Sequence, residues 1–254
     1  MGKQPETFII YGANSAIGSE LAKSLLPEVK ELILFYHEKT DRIAKILTSD
    51  KVVAFNSDIK DYDVLLEQFS QIKHNNHIGA VYLPAVRSYD HKSLAETSLY
   101  LTREIIDVNL LGAIHFLKGL ISISTPRTKE TIDDLSMRIV LLGSNVSRTG
   151  LVNGSIYAAT KAAIANLTRT VAKEEGKNHI LINTISPGPV QTDSQVFLAD
   201  YREFRKDYFE TQKSLTSLNK LADVSDVCLM IKYLTSLENK HITGEEIFLT
   251  GGAL

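Results

Sequence analysis

The chain has 254 residues, 44% hydrophobic and 23% charged, with a formal net charge of −2. That balance suits a soluble domain with a substantial core and argues against nucleic acid or an anionic membrane as partner. Cys228 is the single cysteine, which excludes an internal disulfide and a multi-cysteine metal site, and its apolar helical surroundings read as a buried core thiol. The N-terminus lacks the apolar run of a signal peptide, and no stretch reads as a membrane span of about 20 apolar residues, so a cytoplasmic protein is expected.

In chain order, apolar β-prone runs occupy 7–11, 31–36, 51–56, 79–83, 138–142, 180–185 and 246–249. Helical patterns separate them at 19–26, 41–48, 62–73, 101–121, 157–177 and 224–235. Strands alternating with helices imply a parallel sheet covered on both faces. The expected fold is therefore α/β, a single doubly wound domain of about seven strands spanning 1–254. Two segments break the rhythm. Residues 122–136 are polar and carry Pro126, which reads as a surface excursion. Residues 191–222 form a long insertion with Phe197, Tyr201, Phe204, Tyr208 and Phe209 among charges. Such a segment is expected to be a lid within the domain, or a small helical unit with its own core.

The first strand runs into Gly12-Ala13-Asn14-Ser15-Ala16-Ile17-Gly18, and a helix follows. Gly12 permits a tight turn, Gly18 lets helix and strand pack closely, and the helix N-terminus offers free amides to a pyrophosphate. Tyr157 and Lys161 stand four apart in an Ala-rich stretch without Gly or Pro, so a helix would place phenol and ammonium on one face. An adjacent ammonium lowers the pKa of a phenol and brings it toward the range of general acid–base catalysis.

Together these residues resemble the short-chain dehydrogenase/reductase family, over nearly the whole chain and in the expected order. Its first-turn pattern is similar to Gly12–Gly18, with Tyr11 and Ala16 as departures. Asp58, followed by Ile59, resembles the family's adenine contact. Asn109, Ser144, Tyr157 and Lys161 match its catalytic positions, Ser144 standing thirteen residues before Tyr157. The stretch Asn183 to Thr192, with Pro187, Gly188 and Val190, resembles the segment that wraps the nicotinamide end. Leu83-Pro84-Ala85-Val86 stands where the family has Asn-Asn-Ala-Gly, so an altered turn and weaker cofactor binding are expected there, with Ala85 retained at the cofactor.

The resemblance implies a Rossmann-like fold and an enzyme of the carbonyl reductase or alcohol dehydrogenase type, without a metal. Hydride would pass between a nicotinamide and a carbonyl or alcohol carbon. Tyr157 would be the general acid/base, Lys161 would tune it and hold the ribose, Ser144 would orient the substrate oxygen, and Asn109 would hold a relay water. The four-residue step from Tyr157 to Lys161 favours carbonyl chemistry over an enoyl reductase, whose spacing is usually wider. The second strand ends without the Asp that grips the ribose of NAD, while His37 and Lys39 could accept a 2′-phosphate, so NADP is favoured over NAD. A cofactor-binding regulator without turnover is the alternative. Small-molecule carbonyl or alcohol substrates are expected as partners, and because similar proteins use the long helices that 101–121 and 157–177 resemble as their subunit interface, the resemblance implies a homo-oligomer, tetramer or dimer.

Overall fold

The computed structural model describes residues 2–72, 77–84, 92–124, 137–192 and 199–253, without the side chains of 199–206. Seven parallel strands form one sheet. They are β1 (Thr7–Tyr11), β2 (Glu31–Tyr36), β3 (Val52–Asn56), β4 (Ile78–Tyr82), β5 (Met137–Leu142), β6 (Ile180–Pro187) and β9 (Glu246–Leu249), in the order β3-β2-β1-β4-β5-β6-β9. A short parallel pair, β7 (Val190–Gln191) and β8 (Ala222–Asp223), stands apart. The expected seven-stranded α/β sheet is present, and its strand order reverses between β1 and β4. That reversal opens a crevice at the carboxyl ends of the strands.

Burial on both faces follows from the strand period of two. Ile9, Tyr11, Ile33, Phe35 and Tyr82 point to one side. There they meet Leu65 and Phe69 of α2 (Tyr62–Ser70), Phe116 of α4 (Gly112–Ser122) and Ile164 of α6 (Ser155–Glu175). Phe8, Ile10, Leu32 and Leu34 point to the other, against Leu21 and Leu25 of α1 (Ala16–Leu25) and Val227 and Ile231 of α8 (Val224–Thr235). Cys228 is buried in this second core, where desolvation pushes its thiol up to about 12. An inert core thiol is what its neighbourhood implied.

Two helical expectations change. Residues 41–48 form successive turns rather than a helix. Asn14 anchors the start of that segment, accepting from the Arg42 amide (2.9 Å) and donating to Asp41 (2.9 Å), and Ile43 and Ile46 bury themselves within turns. The 101–121 helix is longer and interrupted: α3 (Leu99–Ile106) passes through a π-helical turn (Asp107–Leu111) into α4. By length and composition alone Leu99–Ser122 could cross a membrane. Here it is a core helix, packing against α2 and α6. The insertion after β7 holds α7 (Ala199–Ser214), in which the rings of Tyr208 and Phe209 meet at a tilt, 5.8 Å between centroids. Phe197 lies outside the described residues, as do Ala85, Val86 and most of the 122–136 excursion.

Candidate active site

The Gly12–Gly18 turn is built as its sequence requires. Gly12 has φ 88°, in the left-handed region that glycine tolerates. Its amide and that of Ala13 both donate to the carbonyl of Phe35 at 3.0 Å, tying the turn to the end of β2. Ser15 caps α1, its hydroxyl accepting from the Gly18 amide at 3.0 Å. A Cβ at Gly18 would lie 2.3 Å from the Gly12 carbonyl oxygen, so helix and turn touch at a point only glycine allows. Ala16 opens α1, and Ile17 packs into the second core.

A cleft of about 900 Å³ opens over this turn. Gly12, Asn14 and Ser15 line it, together with Asp58 and Ile59 and with His37, Lys39 and Arg42. Six of the expected cofactor positions, Gly12, Asn14, Ser15, His37, Asp58 and Ile59, therefore share one cavity. Arg42 was not foreseen, because 41–48 reads as a helix in sequence and only the turn anchored by Asn14 brings it to the rim. Glu38 stands at φ 60°, is exposed, and its carboxylate lies 3.7 Å from the His37 Nε2. Asp61, not Asp58, caps α2, accepting from the Val64 amide (3.2 Å). Asp58 instead accepts from the Lys60 amide (3.0 Å).

The departures at Tyr11 and Leu83-Pro84 prove connected. Tyr11 is buried and stacks on Phe35 (5.2 Å), and its hydroxyl donates to the Ser57 carbonyl (2.9 Å) beneath Asp58. Leu83 joins the second core, and its amide donates to the Tyr11 carbonyl (3.0 Å), prolonging the β1–β4 pairing beyond the strand ends. The described part of this turn is thus well packed, and Pro84 forms part of the cleft wall.

Tyr157, Lys161, Ser144 and Asn109 converge elsewhere, around the end of β5. Tyr157 and Lys161 share a face in the first turns of α6, with the Lys161 Nζ 5.6 Å from the centroid of the Tyr157 ring. Lys161 is wholly buried and donates to the Leu142 carbonyl at 2.7 Å, two residues before Ser144. Desolvation lowers its pKa to about 7, so its charge is near balance at neutral pH. Ser144 follows β5, where the Gly143 amide donates to Ile185 (2.7 Å) and the Asn145 amide to Pro187 (2.9 Å). Those bonds hold the serine beside the 187–192 segment. Gly188 donates to Leu249 (3.0 Å), Val190 pairs with Ala222, and Thr192 ends the described stretch before 193.

Asn109 lies in the π-helical turn, fully buried, and donates to the Thr160 hydroxyl (3.2 Å). Thr160 in turn donates to the Tyr157 carbonyl (2.7 Å). Thr160 had no signal in sequence beyond lying between Tyr157 and Lys161. Glu246 is a second unforeseen group: its nearly buried carboxylate accepts from Ser147 (2.5 Å), Ser186 (2.7 Å) and Arg169 (3.2 Å), joining α5 (Val146–Thr149), β6 and α6.

A family model described as enoyl-(acyl carrier protein) reductase matches residues 12–253. The chain is 24% identical over 245 residues to carbonyl reductase family member 4 of Xenopus tropicalis, covering 96% of this chain and 95% of that protein. It is 22% identical over 255 residues to the 3-oxoacyl-[acyl-carrier-protein] reductase FabG of Staphylococcus epidermidis, covering 96% and 97%. Among solved structures, a 3-oxoacyl (acyl-carrier-protein) reductase from Agrobacterium tumefaciens with NADP bound superposes with a TM-score of 0.81 at 22% identity, over 99% of this chain and 95% of that one. With the model match running from the Gly12 turn almost to the C-terminus, the chain belongs to the short-chain dehydrogenase/reductase family of oxidoreductases.

Proposed function

We propose that the protein is an NADP-dependent reductase of a small-molecule carbonyl, with Tyr157 as the proton donor. The observation that carries this reading is the Tyr157–Lys161 pair, held against the end of β5 two residues from Ser144. The four-residue step from Tyr157 to Lys161 supports carbonyl rather than enoyl chemistry, as do the carbonyl- and oxoacyl-reducing relatives.

The cleft fits a dinucleotide. Gly12 and the capped N-terminus of α1 would take the pyrophosphate, and Asp58 with Ile59 the adenine. When bound, the nicotinamide supplies the hydride. His37, Lys39 and Arg42 would face the ribose 2′ position, where Asp41 is engaged by Asn14. The Asn14 amide beside Asp41 holds that carboxyl below its ordinary range. That grouping supports NADP over NAD, as does NADP in the related solved structure.

At the reaction end, Ser144 orients the substrate oxygen by hydrogen bonding, and Tyr157 gives it a proton as negative charge develops there. Lys161 favours the phenolate that this transfer leaves behind. Asn109 fixes the backbone of the Tyr157 turn through Thr160. The segment 191–222, with α7, would close over the substrate. Leu99 and Tyr100, both exposed at the start of α3, support a homo-oligomer built on that helix.

The test is NADPH consumption across a panel of ketones, aldehydes and 3-oxoacyl thioesters, for the wild type and for Tyr157→Phe, beside titrations of NADPH and NADH. Turnover in the wild type alone, with tighter NADPH binding, supports the reading. NADPH binding without turnover on any substrate would make the protein a cofactor-binding regulator, and undiminished turnover in Tyr157→Phe would remove Tyr157 from the chemistry.

A further inference from the structure

Leu83 and Pro84 stand where the family pattern has two amide side chains, and a phenol braces this corner of the fold. Tyr82, the last residue of β4, is fully buried and donates its hydroxyl to the carbonyl of Val108 at 2.5 Å. Its ring packs between Tyr11 (5.7 Å) and Phe116 (5.5 Å), so the core sets the direction of the hydroxyl. Burial pushes the phenol well above its ordinary pKa, which keeps it neutral and able to donate.

The acceptor is a particular carbonyl. In a regular α-helix the Gly112 amide would bond the carbonyl of Val108. Here it bonds that of Asp107, the slip in register that makes the π-helical turn. The Val108 carbonyl, released from Gly112, meets Tyr82 instead. A Cβ on Gly112 would lie 2.2 Å from the Tyr82 hydroxyl, so glycine and phenol fit as a pair. Asn109 comes next in the chain, bonded to Thr160, which is bonded to the Tyr157 carbonyl. π-Helical turns recur at functional sites because they displace one residue from the regular helical face.

We propose that Tyr82 is a positioning residue: by holding the Val108 carbonyl it sets the π-helical turn and, through Asn109 and Thr160, the first turn of the helix that carries Tyr157. This role rests on the assignment of Tyr157 to proton transfer.

Tyr82→Phe keeps the ring and removes only the donor. In the full chain, amide exchange over 107–112, read by mass spectrometry, should quicken by roughly tenfold or more, with the peptides of the sheet unchanged. At saturating NADPH, kcat for carbonyl reduction should fall about tenfold, with KM for NADPH within about twofold, as expected of a small misplacement. Thr160→Val cuts the chain of contacts further along. It should lower kcat comparably, leave exchange at 107–112 unaltered, and decide the link to Tyr157 independently of Tyr82→Phe. Thr235→Val removes a buried hydroxyl bonded to the Ile231 carbonyl (2.7 Å) in α8, and should move neither readout. Unchanged exchange over 107–112 in Tyr82→Phe overturns the bracing, and full kcat in either Tyr82→Phe or Thr160→Val overturns the link to Tyr157. Exchange needs no turnover, so a wild type inactive on every carbonyl would defeat the proposed reaction while the bracing was still decided.

Discussion

The two ends of the site are made in opposite ways. At the Gly12 end, backbone amides, a capped helix start and side chains at the rim face an open cleft. At the Tyr157 end, Lys161 and Asn109 have no exposed surface, and each is held by a partner distant in sequence. Binding an anion needs donors left unsatisfied by the fold, which a turn and a helix N-terminus supply locally. Tuning a proton donor needs low dielectric and fixed neighbours, which only a packed core supplies. The first end is therefore expected to respond to substitution through affinity, the second through rate and pH.

The sharpest separation should come from Tyr157→Phe. Loss of a general acid costs roughly 10²–10⁴ in kcat, while NADPH affinity should move little. A variant that lost affinity and kept its rate would invert the contrast between the two ends. Gly18→Ala is the counterpart at the open end. Its Cβ would press on the Gly12 carbonyl, spreading helix from turn, so NADPH affinity should fall more than about tenfold and stability by about 1–3 kcal/mol. Calorimetric titration and a denaturant melt would measure both, and an unaltered Kd would show that the turn tolerates the spread.

Arg42→Ala should weaken NADPH about tenfold and leave NADH nearly untouched, the size expected for one hydrogen bond to a charged group. Equal losses for both cofactors would remove Arg42 from the 2′ position. Lys161 gives a pH signature in the cofactor-free protein. Its folded pKa of about 7 lies below the ordinary lysine value of 10.5. Between those values the unfolded chain holds the extra proton, so stability rises with pH across that window. Below pH about 7 both states are protonated, and the full cost of the buried charge is present. Lys161→Met should be the more stable protein at pH about 6, and its melting temperature should rise less between pH about 7 and 9. Parallel pH profiles for the two proteins would contradict the burial of Lys161. The smallest effect belongs to Asn14→Ala, which frees the 41–42 turn at a cost of about 1 kcal/mol and should loosen NADPH by severalfold, by displacing Arg42.

How much of this was legible in sequence varied with the range of the interaction. The Gly12 turn, the Ser15 cap and the shared face of Tyr157 and Lys161 follow from glycine's freedom, capping chemistry and the helical repeat, all within a few residues. The strands follow from apolar runs, and their alternation with helices implies a parallel sheet. The turns at 41–48 were not legible, because an apolar period of three to four looks the same in a helix and in successive tight turns. What separates them is Asn14, 28 residues from Arg42. Nor was the compensation for Leu83 and Pro84 legible, since it comes from the phenols of Tyr11 and Tyr82, which reach Ser57 and Val108.

By itself the sequence determined the order of the elements, the seven-stranded α/β class, the Gly12–Gly18 turn and the pairing of phenol with ammonium. Each depends on residues close enough in the chain to share one turn, one strand or one helical face. Only the tertiary structure decided that Lys161 is buried with its pKa lowered to about 7, that Asn109 sits in a π-helical turn tied to Thr160, and that Tyr82 meets Val108. Those facts depend on contacts 19, 51 and 26 residues apart, where no local period operates and packing alone chooses which groups meet.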